Sequence, residues 1–262
     1  MTTLIFDCDG VLADTERFGH LPAFNRTFEE EGVPVRWSEE EYGERLKIGG
    51  GKERMASLLT DEFVREHGLP GNPEGQKEML QRWHKRKTAA YKEMVAAGVM
   101  PGRPGIARII DEALQEGWTV AVASTSAEES VRAVLEHAVG KQHAERIAVF
   151  AGDVVPAKKP DPAIYKLAIE RTGADPEDTL AIEDSRNGLL AAVGAGLRCL
   201  VTVSSYTKEE DFSEAVLVVT SLGDPGEPTR VLANRSPARP GDQIKLDDLR
   251  ACLQVPIPEE VS

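Results

Sequence analysis

The sequence predicts an α/β fold in which a parallel sheet carries a helical cap inserted after its first strand. Three observations carry that reading. Short apolar runs recur along the chain, helical patterns separate the later ones, and a long strandless section follows the first. The runs lie at residues 4–6, 120–123, 147–150, 180–182, 200–203 and 216–219, and each is short enough for a buried strand. Helical patterns at 106–116, 130–138, 163–172 and 189–195 alternate with them. Strands alternating with helices imply a parallel sheet covered on both faces. Right-handed connections then place every strand's C-terminal end on one edge, where such sheets bind ligands. The arrangement is Rossmann-like.

Residues 15–100 show only helical periodicity, at 18–31, 42–46, 52–67 and 76–97. They are expected to form a cap over the ligand edge of a core made of residues 1–14 and 101–222. Residues 223–262 read as an extension packing on that core. Pro225, Pro228, Pro237 and Pro240 make it irregular up to a short helix near 246–253.

Composition narrows the function. A chain of 262 residues with 41% hydrophobic and 29% charged content has the make-up of a globular protein, not a disordered one. The formal charge of -13 argues against nucleic acid, whose binding needs clustered Lys and Arg. An anionic ligand must therefore be held by a local basic pocket. No uncharged apolar stretch approaches the ~20 residues that cross a bilayer, and residues 2–7 run straight into charged sequence, unlike a signal peptide. The expected location is the cytoplasm, with the chloroplast stroma the alternative for a mature chain. A monomer is expected. Cys8, Cys199 and Cys252 are scattered without metal-ligand spacing, as buried thiols in a reducing compartment would be. A thiolate at Cys8 would be repelled by Asp7 and Asp9, so Cys8 reads as an apolar strand residue.

The polar residues that follow the strands are more telling. Asp7-Cys8-Asp9-Gly10-Val11 ends the first strand, Ser124-Thr125-Ser126 the second, and Glu183-Asp184-Ser185 the fourth, while Lys159-Pro160 follows the third after a loop. Singly each could cap a helix or face solvent; four sets at strand ends are hard to assign to capping. Asp7, Asp9, Glu183 and Asp184 would crowd like charges, at roughly 4 kcal/mol per pair for a separation of about 4 Å. A lysine and an oxygen-seeking divalent cation would offset that repulsion, and Mg²⁺ fits because it accepts carboxylates, waters and phosphate oxygens together.

In the cap, Gly49-Gly50-Gly51-Lys52 precedes a helical segment, where backbone N–H groups can cup an anion, with Lys52 and Arg54 close behind. The run His84-Lys85-Arg86-Lys87 would ordinarily be a solvated face. Lys87, however, falls four residues after Trp83 and four before Tyr91, on the apolar stripe itself. An ammonium on an inward seam is costly unless it meets an anion, which singles out Lys87 and its neighbour His84. Lys85 and Arg86 keep the solvated reading. Glu16 and His20, where the cap begins, could bind sugar hydroxyls or line the hinge.

As an ordered set, Asp7-Cys8-Asp9-Gly10-Val11, Ser124, Lys159-Pro160 and Glu183-Asp184 resemble the four motifs of the haloacid dehalogenase superfamily of phosphohydrolases. The insert resembles that superfamily's helical cap. More narrowly, Ala23-Phe24-Asn25, Gly50-Gly51-Lys52-Glu53-Arg54, His84 with Lys87-Thr88, Arg103-Pro104-Gly105 and Ala151-Gly152-Asp153 resemble the CbbY-type phosphatases. Gly19 departs from that pattern as an extra residue before His20.

The resemblance implies a Mg²⁺-dependent phosphatase that acts on a small phosphorylated sugar, best xylulose-1,5-bisphosphate, an inhibitory by-product of Rubisco. Asp7 would be the nucleophile and Asp9 the general acid and base. Ser124, followed by Thr125 and Ser126, would hold phosphate oxygens, and Lys159 would neutralise their charge. Asp7, the Asp9 carbonyl and Asp184 would bind Mg²⁺, with Glu183 a ligand or a neighbour of one. Glu16, His20, Gly50, Gly51, Lys52, Arg54, His84 and Lys87 would bind the rest of the substrate. The same core would serve a β-phosphoglucomutase-like mutase, and a non-catalytic metabolite sensor on this fold is the reading from another class. A dehalogenase has no use for Asp9 as an acid toward an alkoxide.

Overall fold

In the computed structural model, residues 1–48 and 50–257 are described; Gly49 and the last five positions of the expected C-terminal extension lie outside them. The chain divides into two units. One takes Met1–Asp14 and the chain from Met100 onward, and the other is Thr15–Val99.

In chain order, β1 (Thr3–Phe6) leads to the insert. This holds α1 (Leu21–Glu30), α2 (Glu39–Leu46), α3 (Gly51–Ala56), α4 (Asp61–Glu66) and α5 (Pro73–Ala96). The first unit then resumes with α6 (Ile106–Gln115), β2 (Thr119–Ser124), α7 (Glu128–Val139), α8 (Lys141–Ala144), β3 (Ala148–Ala151) and α9 (Ala163–Thr172). It closes with β4 (Thr179–Glu183), α10 (Arg186–Gly194), β5 (Arg198–Thr202), β6 (Leu217–Val219), β7 (Val231–Asn234) and α11 (Leu246–Cys252).

The sheet order is β3-β2-β1-β4-β5-β6-β7, parallel throughout except for β7 against β6. This is the α/β fold with a mostly parallel sheet and a helical insert after β1 that the apolar runs predict. Successive strand residues face opposite sides, so Ile5, Ala121, Ala181, Cys199 and Val201 form one core layer with Ile164, Tyr165 and Leu189 of α9 and α10. The register matters for function. Phe6 lies opposite Val122 on one side and Ile182 on the other, so β1, β2 and β4 end within two residues of one another.

The extension is more regular than its prolines suggest. Val231–Asn234 pairs as an antiparallel edge strand, although Val231 and Leu232 are exposed and carry no strand-like alternation. Arg235 N–H donates to Val216 O, and the Arg198 side chain donates to Glu177 and to the Val255 carbonyl.

Within the insert, α1 packs along α5 around an aromatic cluster of Phe24, Phe28, Trp37, Tyr42 and Trp83. The Asn25 amide exchanges two hydrogen bonds with the Trp37 backbone, at 2.9 and 2.8 Å, and so anchors the strandless connection beside it. The helical segment expected at 52–67 is instead two helices. Thr60 caps the second by accepting from Phe63 N–H at 3.2 Å, which requires an extended backbone there and breaks the run. Glu16–His20 winds as a π-helical turn ahead of α1. Such a turn takes up one residue more than an α-turn, which accommodates Gly19 without a break before α1.

Candidate active site

Asp7 directly follows β1, and its N–H still donates to Ile182 O at 2.9 Å, so the sheet ladder holds the residue where its side chain leaves the edge. Lys159 Nζ donates to Asp7 Oδ1 at 2.6 Å, to Glu183 Oε1 at 2.6 Å and to Ala123 O at 2.9 Å. The Tyr165 hydroxyl is a fourth and more distant acceptor at 3.5 Å, and acceptors on every side fix the ammonium in one orientation.

Two glycines make the packing possible. A Cβ on Gly188 would lie 2.0 Å from Glu183 Oε2, and one on Gly10, at φ +81°, would lie 2.0 Å from Asp184 Oδ2. Only glycine tolerates both that approach and that backbone. Asp7, Glu183 and Asp184 each offer a carboxylate oxygen to one cluster whose atoms lie within 4.8 Å of one another, and all three are buried.

The electrostatics follow from that crowding. Burial pushes the Asp7 carboxyl up to about 7; Lys159 draws it down while Glu183 and Asp9 push it further up. Asp184 is held well above the usual carboxylate range by burial, then by Asp7 and Glu183, with Ser204 and Arg103 opposing. Burial works against the Lys159 charge, yet Asp7 and Glu183 outweigh it and hold its pKa above the ordinary value. Carboxylates this reluctant to ionise together, with only oxygen donors and one lysine among them, suit a hard divalent cation.

The remaining core residues fall around this centre. The Ser126 hydroxyl donates to Asp9 Oδ2, and Ser126 N–H donates to Ser124 Oγ at 3.1 Å. Ser124 is buried at the end of β2 and Thr125 is half-buried beside it.

Three residues of the site escape sequence reasoning. Tyr165 OH donates to Glu183 Oε1 at 2.5 Å. Arg103 donates to the carbonyls of Gly10, Thr202, Val203 and Thr220, tying the loop after β1 to the ends of β5 and β6. Ser204, whose hydroxyl meets Thr207 Oγ1 at 3.1 Å, opposes the rise of the Asp184 pKa. The available signals were a tyrosine on an apolar helix face and an arginine before Pro104-Gly105.

The insert, taken by itself, gathers its candidates into two groups. Tyr42 OH donates to Glu16 and accepts from Arg54 at 3.1 Å. Lys87, 8% exposed as its place on the stripe requires, donates to His20 Nδ1 at 2.7 Å. Its ammonium also lies 4.8 Å from the Phe24 ring centroid and 5.2 Å from that of Tyr91. Burial, then Lys87 and Arg54, lowers the His20 pKa well below its ordinary value, which suits a neutral imidazole accepting from an ammonium. Gly51 opens α3 against His84, with Gly50 at φ +95° before it, and Lys52 is exposed.

A parallel sheet with a helical insert after its first strand and a carboxylate-lysine centre at its C-terminal edge defines a phosphohydrolase of the haloacid dehalogenase kind. The chain belongs to the haloacid dehalogenase-like hydrolase family, whose model matches residues 1–196. Within it the chain is CbbY-like. It is 48% identical to a CBBY-like protein of Arabidopsis thaliana over 86% of this chain and 70% of that protein. It is 41% identical to the plasmid CbbY protein of Cupriavidus necator over 87% and 88%. The crystal structure of a CbbY mutant from Rhodobacter sphaeroides, in complex with xylulose-1,5-bisphosphate, superposes with a TM-score of 0.70 at 40% identity, covering 84% of this chain and 95% of that one. The protein is therefore an enzyme, a CbbY-like phosphatase. No described helix is long and apolar enough to cross a membrane.

Proposed function

We propose that this phosphatase hydrolyses a small sugar bisphosphate, xylulose-1,5-bisphosphate first among them, through an aspartyl-phosphate on Asp7. The observation that carries the reading is the Lys159–Asp7 contact at 2.6 Å beside the buried acidic cluster. The relative crystallised with xylulose-1,5-bisphosphate supports the choice of sugar.

An Asp7 carboxylate oxygen attacks phosphorus as the ester P–O bond breaks, and Asp9 gives its proton to the departing alkoxide. Asp9 then takes a proton from the water that attacks the phosphorus of the acyl-phosphate, which returns Asp7 and frees inorganic phosphate. The Ser126 hydroxyl orients Asp9 from the first step to the last. Lys159 and Ser124 neutralise and hold the phosphoryl oxygens, since this transfer needs mainly positioning and charge compensation. Asp7, the Asp9 carbonyl and Asp184 are the residues to hold Mg²⁺, with Glu183 turned toward Lys159. When bound, the ion supplies positive charge to the phosphoryl group and relieves the carboxylate repulsion. The insert supplies the basic and polar residues suited to the sugar and its second phosphate, among them Lys52, Arg54, His84 and Lys87.

Phosphate release across a panel of sugar mono- and bisphosphates tests the reading. The expected result is stoichiometric phosphate with the highest specificity constant for xylulose-1,5-bisphosphate. Isomer formation without phosphate would identify a mutase, and preference for a monophosphate would remove the bisphosphate assignment.

A further inference from the structure

Tyr165 sits on the buried face of α9, fully buried among Ala121, Ala123, Ala181, Leu189 and Cys199. A phenylalanine would fill the same space. The hydroxyl is thus the one polar atom this side chain brings into an apolar layer, where an unpaired donor is costly. It has a partner: Glu183 Oε1, at 2.5 Å.

That oxygen is also the acceptor of Lys159, whose ammonium lies 5.0 Å from the Tyr165 ring centroid. Glu183 cannot retreat, because Gly188 closes against its other oxygen. The carboxylate is therefore gripped between a tyrosine hydroxyl, a lysine and a helix backbone, and Lys159 in turn reaches Asp7.

We infer that Tyr165 is a positioning residue of the catalytic centre, its hydroxyl holding Glu183 so that Lys159 stays aimed at Asp7 and at the phosphoryl oxygens bound there. The hydroxyl shares the Glu183 charge with Lys159, which leaves the ammonium freer to serve the phosphate. Without it, Oε1 of Glu183 draws on Lys159 alone, Oε2 keeping only the Asp184 N–H at 3.3 Å, and pulls the ammonium from Asp7. This inference rests on the roles proposed above for Asp7 and Lys159.

Tyr165→Phe keeps the ring and the packing and removes one oxygen. With p-nitrophenyl phosphate and Mg²⁺, the expected result is a kcat about tenfold lower, the scale of one charge-assisted hydrogen bond, with KM within about threefold. In a Glu183→Gln background the same substitution is expected to cost less than about threefold, since its effect runs through the Glu183 charge. An unchanged kcat in Tyr165→Phe would overturn the inference. Equal losses in both backgrounds would do so too, because they would mean a packing role. A rise in KM with kcat unchanged would likewise contradict it. Asp7→Asn separates this from the underlying reading. If Asp7→Asn keeps turnover, the nucleophile assignment itself fails; if it is inactive while Tyr165→Phe is normal, only the role of Tyr165 fails.

Discussion

Lys87 Nζ lies 2.7 Å from His20 Nδ1, so an ammonium donates to an imidazole inside the helical unit. Two groups that could both be cationic are neighbours, and only a neutral His20 can accept that bond.

Stability should therefore fall on acidification through His20. Its folded pKa is lowered by burial first, so below about 6.5 the unfolded chain takes up a proton that the folded chain refuses. The contribution is complete above that value and lost as pH falls toward the depressed folded pKa. Urea midpoints measured at about pH 7.5 and about pH 5 should drop more in the wild type than in His20→Asn. Parallel drops would show that His20 is not held neutral.

The bisphosphate reading is tested in the insert. A lysine on a second phosphate offers roughly 1.5–3 kcal/mol, so losing one should lower the specificity constant for a sugar bisphosphate about ten- to a hundredfold. Lys52→Ala and Lys87→Met should leave p-nitrophenyl phosphate hydrolysis nearly unchanged. The ratio of the two losses is the informative quantity. Equal losses on both substrates would assign these lysines to the fold, in which Lys87 is buried.

Metal and pH should act together on stability. Asp7, raised to about 7 chiefly by burial, is strained as a carboxylate above that pH and relieved as pH falls toward its ordinary range. A divalent cation removes the same strain and competes with the proton. Saturating Mg²⁺ should raise the melting temperature more at about pH 8 than at about pH 5.5, with reversal by EDTA. A shift that ignores pH would place the ion elsewhere.

Arg103→Met should destabilise by about 3 kcal/mol or more, because its guanidinium satisfies carbonyls of three separate loops and faces buried Asp184. Chemical denaturation measures this directly. A loss below about 1 kcal/mol would mean that water replaces the clamp without cost.

The core was legible because its strands are continuous apolar runs and its chemistry sits at their ends. Asp7, Ser124 and Glu183 converge through registers that follow from parallel pairing. The periodicity that put Lys87 on the buried stripe of α5 was equally plain. What stayed hidden depends on tertiary contact. The edge strand at Val231–Asn234 draws its order from pairing with β6, not from its own pattern. The break at Thr60 is a local capping choice within a run that still reads as helical. Tyr165 and Arg103 act through partners distant in sequence, Glu183 in one case and Thr202, Val203 and Thr220 in the other. Nothing in a single sequence marks the buried Tyr165 hydroxyl as more than packing, and Arg103 shows there only as part of the Arg103-Pro104-Gly105 match, without its partners.

The nucleophile assignment is tested most directly by catching the phosphoryl group. Enzyme turning over p-nitrophenyl phosphate with Mg²⁺ is quenched in acid and digested, and its peptides are weighed. The account predicts one added phosphoryl group on the peptide bearing Asp7, absent from Asp7→Asn, whose turnover falls below about one hundredth of wild type. Phosphate release at the wild-type rate by Asp7→Asn, or a phosphoryl group on any other residue, would contradict it.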